Sequence, residues 1–218
     1  MSAISQEKGA MTADFPRELE DKLSLAGFTF LEVVEPRGDL VPCLVARYVT
    51  YLQLEDGRWD VVVKHEEPGL GGKFNAEWER AARERGLFST ARDGRRQFLL
   101  GLDISADVAN EEGEDEVPPA YRWVRVQVRD AWDIAGVGCA NGVFGAGANN
   151  PTFGAASLSG DVVMTAAYWQ TGIGFTGASH PERIATLREH AQRIASYDHV
   201  ELAQRQWAER WFSWSEGR

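Results

Sequence analysis

The run Tyr121–Arg129 carries the most ligand-like side chains of the chain. Tyr121, Trp123, Arg125, Gln127 and Arg129 alternate with Val124, Val126 and Val128. On a strand this sets an aromatic and cationic row against an apolar one. Aromatic rings stack on planar groups, and arginine forks grip carboxylates or phosphates. Tyr121, Trp123, Arg125 and Arg129 are therefore candidate ligand-binding residues for a small anion. Single-stranded RNA would use the same pattern. The plainer alternative pairs this face with acidic neighbours across the sheet.

The four histidines, His65, His180, His190 and His199, lack any H-x-x-x-H or H-E-x-x-H spacing, and no CxxC is present. No metal site is expected from them. His180 sits in a Ser179–Glu182 capping box, where it orients a helix start. His190 points away from the Ile184, Leu187 and Ile194 seam and reads as a surface residue. Cys43 and Cys139 stand alone among small or apolar neighbours and read as buried side chains in a reducing compartment. Gly136-Val137-Gly138-Cys139-Ala140-Asn141-Gly142 misses the dinucleotide fingerprint by one position and lacks its following helix. Ser157-Leu158-Ser159-Gly160-Asp161 offers hydroxyls near a possible helix start, but no Gly-x-Ser-x-Gly elbow surrounds them, and Ser159 or Asp161 reads as the cap of that helix. No catalytic set and no cofactor is assigned, and the question of enzyme activity stays open.

Residues 131–177 differ in kind. This 47-residue stretch holds ten Gly and only two charges, Asp133 and Asp161. Such a segment is expected to be buried, wrapped on a partner or lining a pocket. Phe144 and Phe153 would be its anchors. Trp207, Trp211 and Trp214 form a stripe close to position 218 and would serve a subunit interface.

The elements that must position these residues follow from periodicity and punctuation. A helix over Asp14–Ala26 stops at Gly27, and Phe28–Glu35 is a strand. Val41–Leu54 and Trp59–His65 read as a hairpin turned at Asp56-Gly57. A helix over Ala76–Arg85 is capped by Asn75 and stopped by Gly86. Phe98–Ile104 and Tyr121–Arg129 are strands, and Ser105–Pro119 is an acidic loop. Val162–Gln170 leans towards helix. Two capped amphipathic segments after Ser179 form an antiparallel helical pair.

The expected fold is α+β: an antiparallel sheet of about five or more strands with packed helices and a C-terminal antiparallel helical pair. Residues 1–12 are a tail, 13–177 the α+β domain and 178–218 the helical hairpin. With 218 residues, 44% of them hydrophobic, the chain can bury one sizeable core. Its formal net charge of −10 opposes nucleic-acid and anionic-membrane binding. No 18-residue apolar window predicts a membrane span, and no secretory leader is recognised, so a cytoplasmic location is expected. The leading functional expectation is a protein–protein assembly subunit. It would be a homo-oligomer or part of a larger complex with a heteromeric protein partner, viral or phage-type particles included. The alternative is a small enzyme or ligand-binding domain with an anion pocket between the Gly-rich segment and the Arg125/Arg129 face.

Overall fold

Leu19, Leu23 and Ala26 recur at helical spacing, and their side chains are buried together on one stripe of α1 (Phe15–Leu25). Gly27 ends this helix in the left-handed region, with φ 85°. A Cβ there would come within 2.1 Å of the Ala131 carbonyl oxygen, so only glycine fits. The computed structural model that contains this helix describes residues 15–34, 41–42, 44–103, 121–197, 199 and 202–217. The expected tail, Cys43 and the acidic loop 105–119 lie outside the described residues. So do the side chains of Tyr121 and Trp207.

After α1 come β1 (Phe28–Val34), α2 (Leu44–Tyr48) and 3-10 turns at Val49–Tyr51 and Leu54–Asp56. Then follow β2 (Trp59–Lys64), α3 (Leu70–Arg85), β3 (Ser89–Thr90), β4 (Arg96–Asp103) and β5 (Tyr121–Val128). A π-helical turn at Ile134–Gly138 leads to β6 (Phe153–Ala156), β7 (Val162–Trp169) and β8 (Gly172–Ser179). A 3-10 turn at Pro181–Arg183 precedes α4 (Ala185–Ser196) and α5 (Leu202–Glu216).

The fold is α+β, built on one eight-stranded sheet. Its order is β1-β5-β4-β6-β7-β8-β2, with the short β3 beside β4, and every pairing is antiparallel. Both faces are covered. Phe28, Phe98, Val124, Val126, Phe153, Met164 and Phe175 form one core with α1, α3 and Phe144. Leu99, Trp123, Ala156, Val163 and Ala178 form the other with α2 and the α4–α5 pair. Burying side chains as large as Phe28 or Trp78 contributes roughly 1.5–3 kcal/mol each from transfer alone.

Two expectations on secondary structure are corrected. Val162–Trp169 is a strand, not a helix. Val162, Met164 and Ala166 enter one core while Val163 enters the other, so the run is apolar on both sides and hides the two-residue period. The Val41–Leu54 segment is helical, not half of a hairpin. Val41, Val45, Val49 and Leu52 recur at helical spacing and all face the second core. Its expected partner β2 pairs with β8 instead.

The remaining differences are local. α3 starts at Leu70 rather than Ala76, so Asn75 lies inside it instead of capping it. The Ser179–Glu182 box is not formed: Ser179 pairs with Val162, and His180 heads a 3-10 turn at φ 52°. The C-terminal helical pair stands as expected, with Leu187, Ala191, Ala208, Trp211 and Trp214 buried in the second core.

Candidate functional site

The β5 row is largely taken up by the fold. Trp123 is buried and donates its indole N–H to the Val41 carbonyl at 2.6 Å. Gln127 is buried and accepts from Gln97. Arg125 is paired with Glu32 at 3.2 Å. Arg129 donates to the Thr29 and Ser24 hydroxyls. The arginines thus hold acceptors on and beside β1, and the Trp123 ring lies beneath the second layer of helices.

The expected interface aromatics whose side chains are described also lie within the chain's own cores. Phe144 packs on Phe28 and Phe153, with ring centroids at 4.8 and 5.0 Å. Trp211 and Trp214 are 2% and 1% exposed. The uncharged segment that carries Phe144 and Phe153 supplies β6, β7 and β8, the middle of the sheet. Its first charge, Asp133, accepts hydrogen bonds from the Gly136 and Val137 N–H groups and from Asn75. Burial opposes ionisation of Asp133, yet those donors outweigh it and hold its carboxyl below the usual range. Its second charge, Asp161, accepts the His180 backbone N–H through its carbonyl.

Cys139 is fully buried, and burial pushes its thiol up to about 12, which removes the thiolate from neutral chemistry. His65 bonds the Trp169 carbonyl at 2.9 Å. His190 does not stand free on the surface. It stacks on Tyr51 and meets Tyr48 edge-on, and burial lowers its pKa. Among the described residues no group of three or more metal-ligating side chains is assembled. Among them, too, no helix is long and apolar enough to cross a membrane.

Two features remain that could meet another molecule. The first is a cavity of about 360 Å³ against the central strands β4, β6 and β7. Gly101, Gly142, Gly145 and Gly154 open it, and Thr152 and Arg47 supply its polar wall. Missing side chains make this space: a Cβ on Gly154 would come within 3.1 Å of the Ala46 methyl. The lining converges from α2, β4, β6, β7 and the 142–146 loop, so no local pattern announces it.

The second feature is the outer edge of β2, which no other strand among the described residues pairs. It pairs with β8 over six residues without a register shift. Small residues on β8 permit this. The Trp59 ring lies over Gly177, where a Cβ would fall 2.1 Å from it. Arg85 sits on the same ring, 5.1 Å from its centroid. Arg58 forks Asp60, which also accepts from Thr176 at 2.7 Å. Val62 is 46% exposed at the middle of the strand. At the opposite edge, β1 carries a register irregularity between Phe30 and Glu32. The β2 edge went unremarked in the sequence, although its signal is there: Arg58, Asp60, Lys64 and Glu66 alternate in sign at even positions around Val62.

No protein-family model, curated protein or solved structure matches this chain.

Proposed function

We propose that this protein is an assembly subunit that associates through the edge of its sheet. The observation that carries this reading is the straight β2 edge with Val62 exposed on it. An unpaired strand offers a row of N–H and C=O groups to another chain, and proteins that stay monomeric blunt such edges with bulges, prolines or lysines. The irregularity on β1 is such a device; β2 carries a lysine at its end, Lys64, but pairs in regular register and has an apolar residue at its centre. Native mass spectrometry of the full chain across the micromolar range tests the proposal. A multimer, or a co-purified protein held in fixed stoichiometry, supports it. A strict monomer with no partner overturns it.

A second reading, a small-molecule binding domain, is favoured by the cavity. Its volume of about 360 Å³ falls in the range of ligand pockets. Thr152 and Arg47 give the wall hydrogen-bond donors, so an acceptor-rich small carboxylate or phosphate suits it. A thermal-shift screen of such anions, repeated on Arg47→Ala, tests this. A stabilisation that disappears in the variant supports the reading, and no stabilisation by any anion removes it.

A further inference from the structure

We infer that β2 pairs with β2 of a second copy of this chain, antiparallel and centred on Val62, so that two sheets join edge to edge. This rests on the assembly reading above and names its partner and register. The backbone directions come first. The His65 N–H bonds the Thr171 carbonyl on the β8 side, whereas the Lys64 N–H and C=O bond Glu67 on the other side. Neighbouring residues of a strand turn opposite ways, so Asp60, Val62 and Lys64 present their backbone groups to the outer edge. Among the described residues no other strand pairs there. Val62 facing Val62 of a second copy is then a hydrogen-bonded pair in which both residues exchange N–H···O bonds.

The side chains select the register. The even positions read Arg58, Asp60, Val62, Lys64, Glu66. Reversing this row about Val62 turns every charge into its opposite. Within the strand, Asp60 then faces the second copy's Lys64, and Arg58 and Glu66, which flank β2 in sequence, bring opposite charges to the ends of the pair. The odd positions match as well, with Val61 against Val63. The other two-fold registers centred from Asp60 to Lys64 fail. Centring on Asp60 or Lys64 sets like charges face to face on the axis. Centring on Val61 opposes Arg58 to Lys64, and centring on Val63 opposes Asp60 to Glu66. Directly opposed like charges destabilise a strand pair. The complementarity is isologous, as a two-fold dimer requires. Asp60 already accepts from Arg58 and from Thr176 on β8, so the second copy's Lys64 would add to a carboxylate that these donors hold in place. Glu67, which caps the Lys64 backbone and pairs with Lys73, competes for the outer hydrogen bonds and must swing aside for the flanking pairs to form.

The test uses the full chain with Val62→Lys and Val62→Glu. Light scattering coupled to size exclusion gives the mass, and circular dichroism checks the fold. Wild type should run at twice the 24.2 kDa chain mass. Each variant should run as a folded monomer, because like charges meet on the axis. An equimolar mixture of the two should regain the dimer mass. Lys64→Glu, which opposes a carboxylate to Asp60, should also lose the dimer and serves if a Val62 variant fails to fold. Variants that keep the wild-type multimer overturn this interface, and association through the β2 edge with it, and leave standing only that the chain assembles. Monomeric variants that do not recombine overturn the register. A monomeric wild type overturns both.

Discussion

Replacing Asp133 by Ala removes the acceptor that closes the π-helical turn and anchors it to α3. Three donors lose their partner: the N–H groups of Gly136 and Val137, at 2.8 and 3.0 Å, and the Asn75 amide at 2.8 Å. A hydrogen bond to a charged group contributes about 1.5–3 kcal/mol, and an orphaned donor costs about 1–3 kcal/mol. Asp133 is half-buried, so water recovers part of this. The expected loss is about 2–4 kcal/mol, out of roughly 5–15 kcal/mol for a folded domain. At roughly 2–3 kcal/mol per molar urea, the unfolding midpoint should fall by about 1–2 M. Asn75→Ala and the double variant complete a cycle whose coupling should lie at about 1–2 kcal/mol, because the same Asn75 also accepts from the Ala135 N–H. The effect must also depend on pH. The Asp133 carboxyl is held below its usual range when folded, so its contribution is complete above the unfolded value of 3.8. It is lost as pH falls from there through the lower folded value, where wild type and Asp133→Ala should converge. A variant within about 0.5 kcal/mol of wild type at pH 7, or strictly additive with Asn75→Ala, would refute the anchoring argument.

Three further outcomes are expected. Cys139, buried and with its thiol raised to about 12, should resist alkylation in the native state and react only on unfolding; peptide mapping after iodoacetamide checks this, and fast native labelling contradicts it. Gly177→Ala forces a methyl against the Trp59 ring and should cost about 1–3 kcal/mol in urea unfolding, with the Trp59 fluorescence altered; an unchanged midpoint contradicts it. His190 has a lowered pKa because burial, and then the Arg193 charge, disfavours its protonated form. The unfolded chain therefore takes up the proton first, and stability should fall as pH drops from about 7 through 6. His190→Phe should flatten that dependence in melting curves, and parallel curves for the two proteins would remove His190 as its source.

What could be read from the sequence was the local and the one-sided. The α4–α5 pair declares itself because each helix has one apolar stripe and one wet face. β5 declares itself for the same reason at the two-residue period: its valines all enter one core while Arg125 and Arg129 stay at least partly exposed. Val162–Trp169 did not, since a strand buried on both sides carries no period to distinguish it from a buried helix. In Val41–Leu54 the β-branched composition points to a strand and masks the four-residue spacing of Val41, Val45 and Val49. The Asp56-Gly57 turn is present, with Gly57 at φ 85°, but it leads into β2 from a 3-10 turn rather than from a paired strand. The cavity was out of reach because its walls converge from distant positions. The charge alternation around Val62 was in plain sight, and it acquires meaning only once β2 is known to lie at an edge.

The strand order also sets a schedule for synthesis. β1 and β2 are made early, yet they occupy the two margins of the sheet, and their neighbours β5 and β8 arrive much later. Asp60 and Thr176, bonded across adjacent strands, are 116 positions apart. While the ribosome is still adding the central strands, β2 has no place to dock, and Val61, Val62 and Val63 remain open to any passing strand. Closing such distant pairs is slow, and exposed edges aggregate during the wait. Holding the nascent chain apart until β8 emerges is therefore a task for the translating cell, and slow elongation before residue 172 would lengthen the exposure.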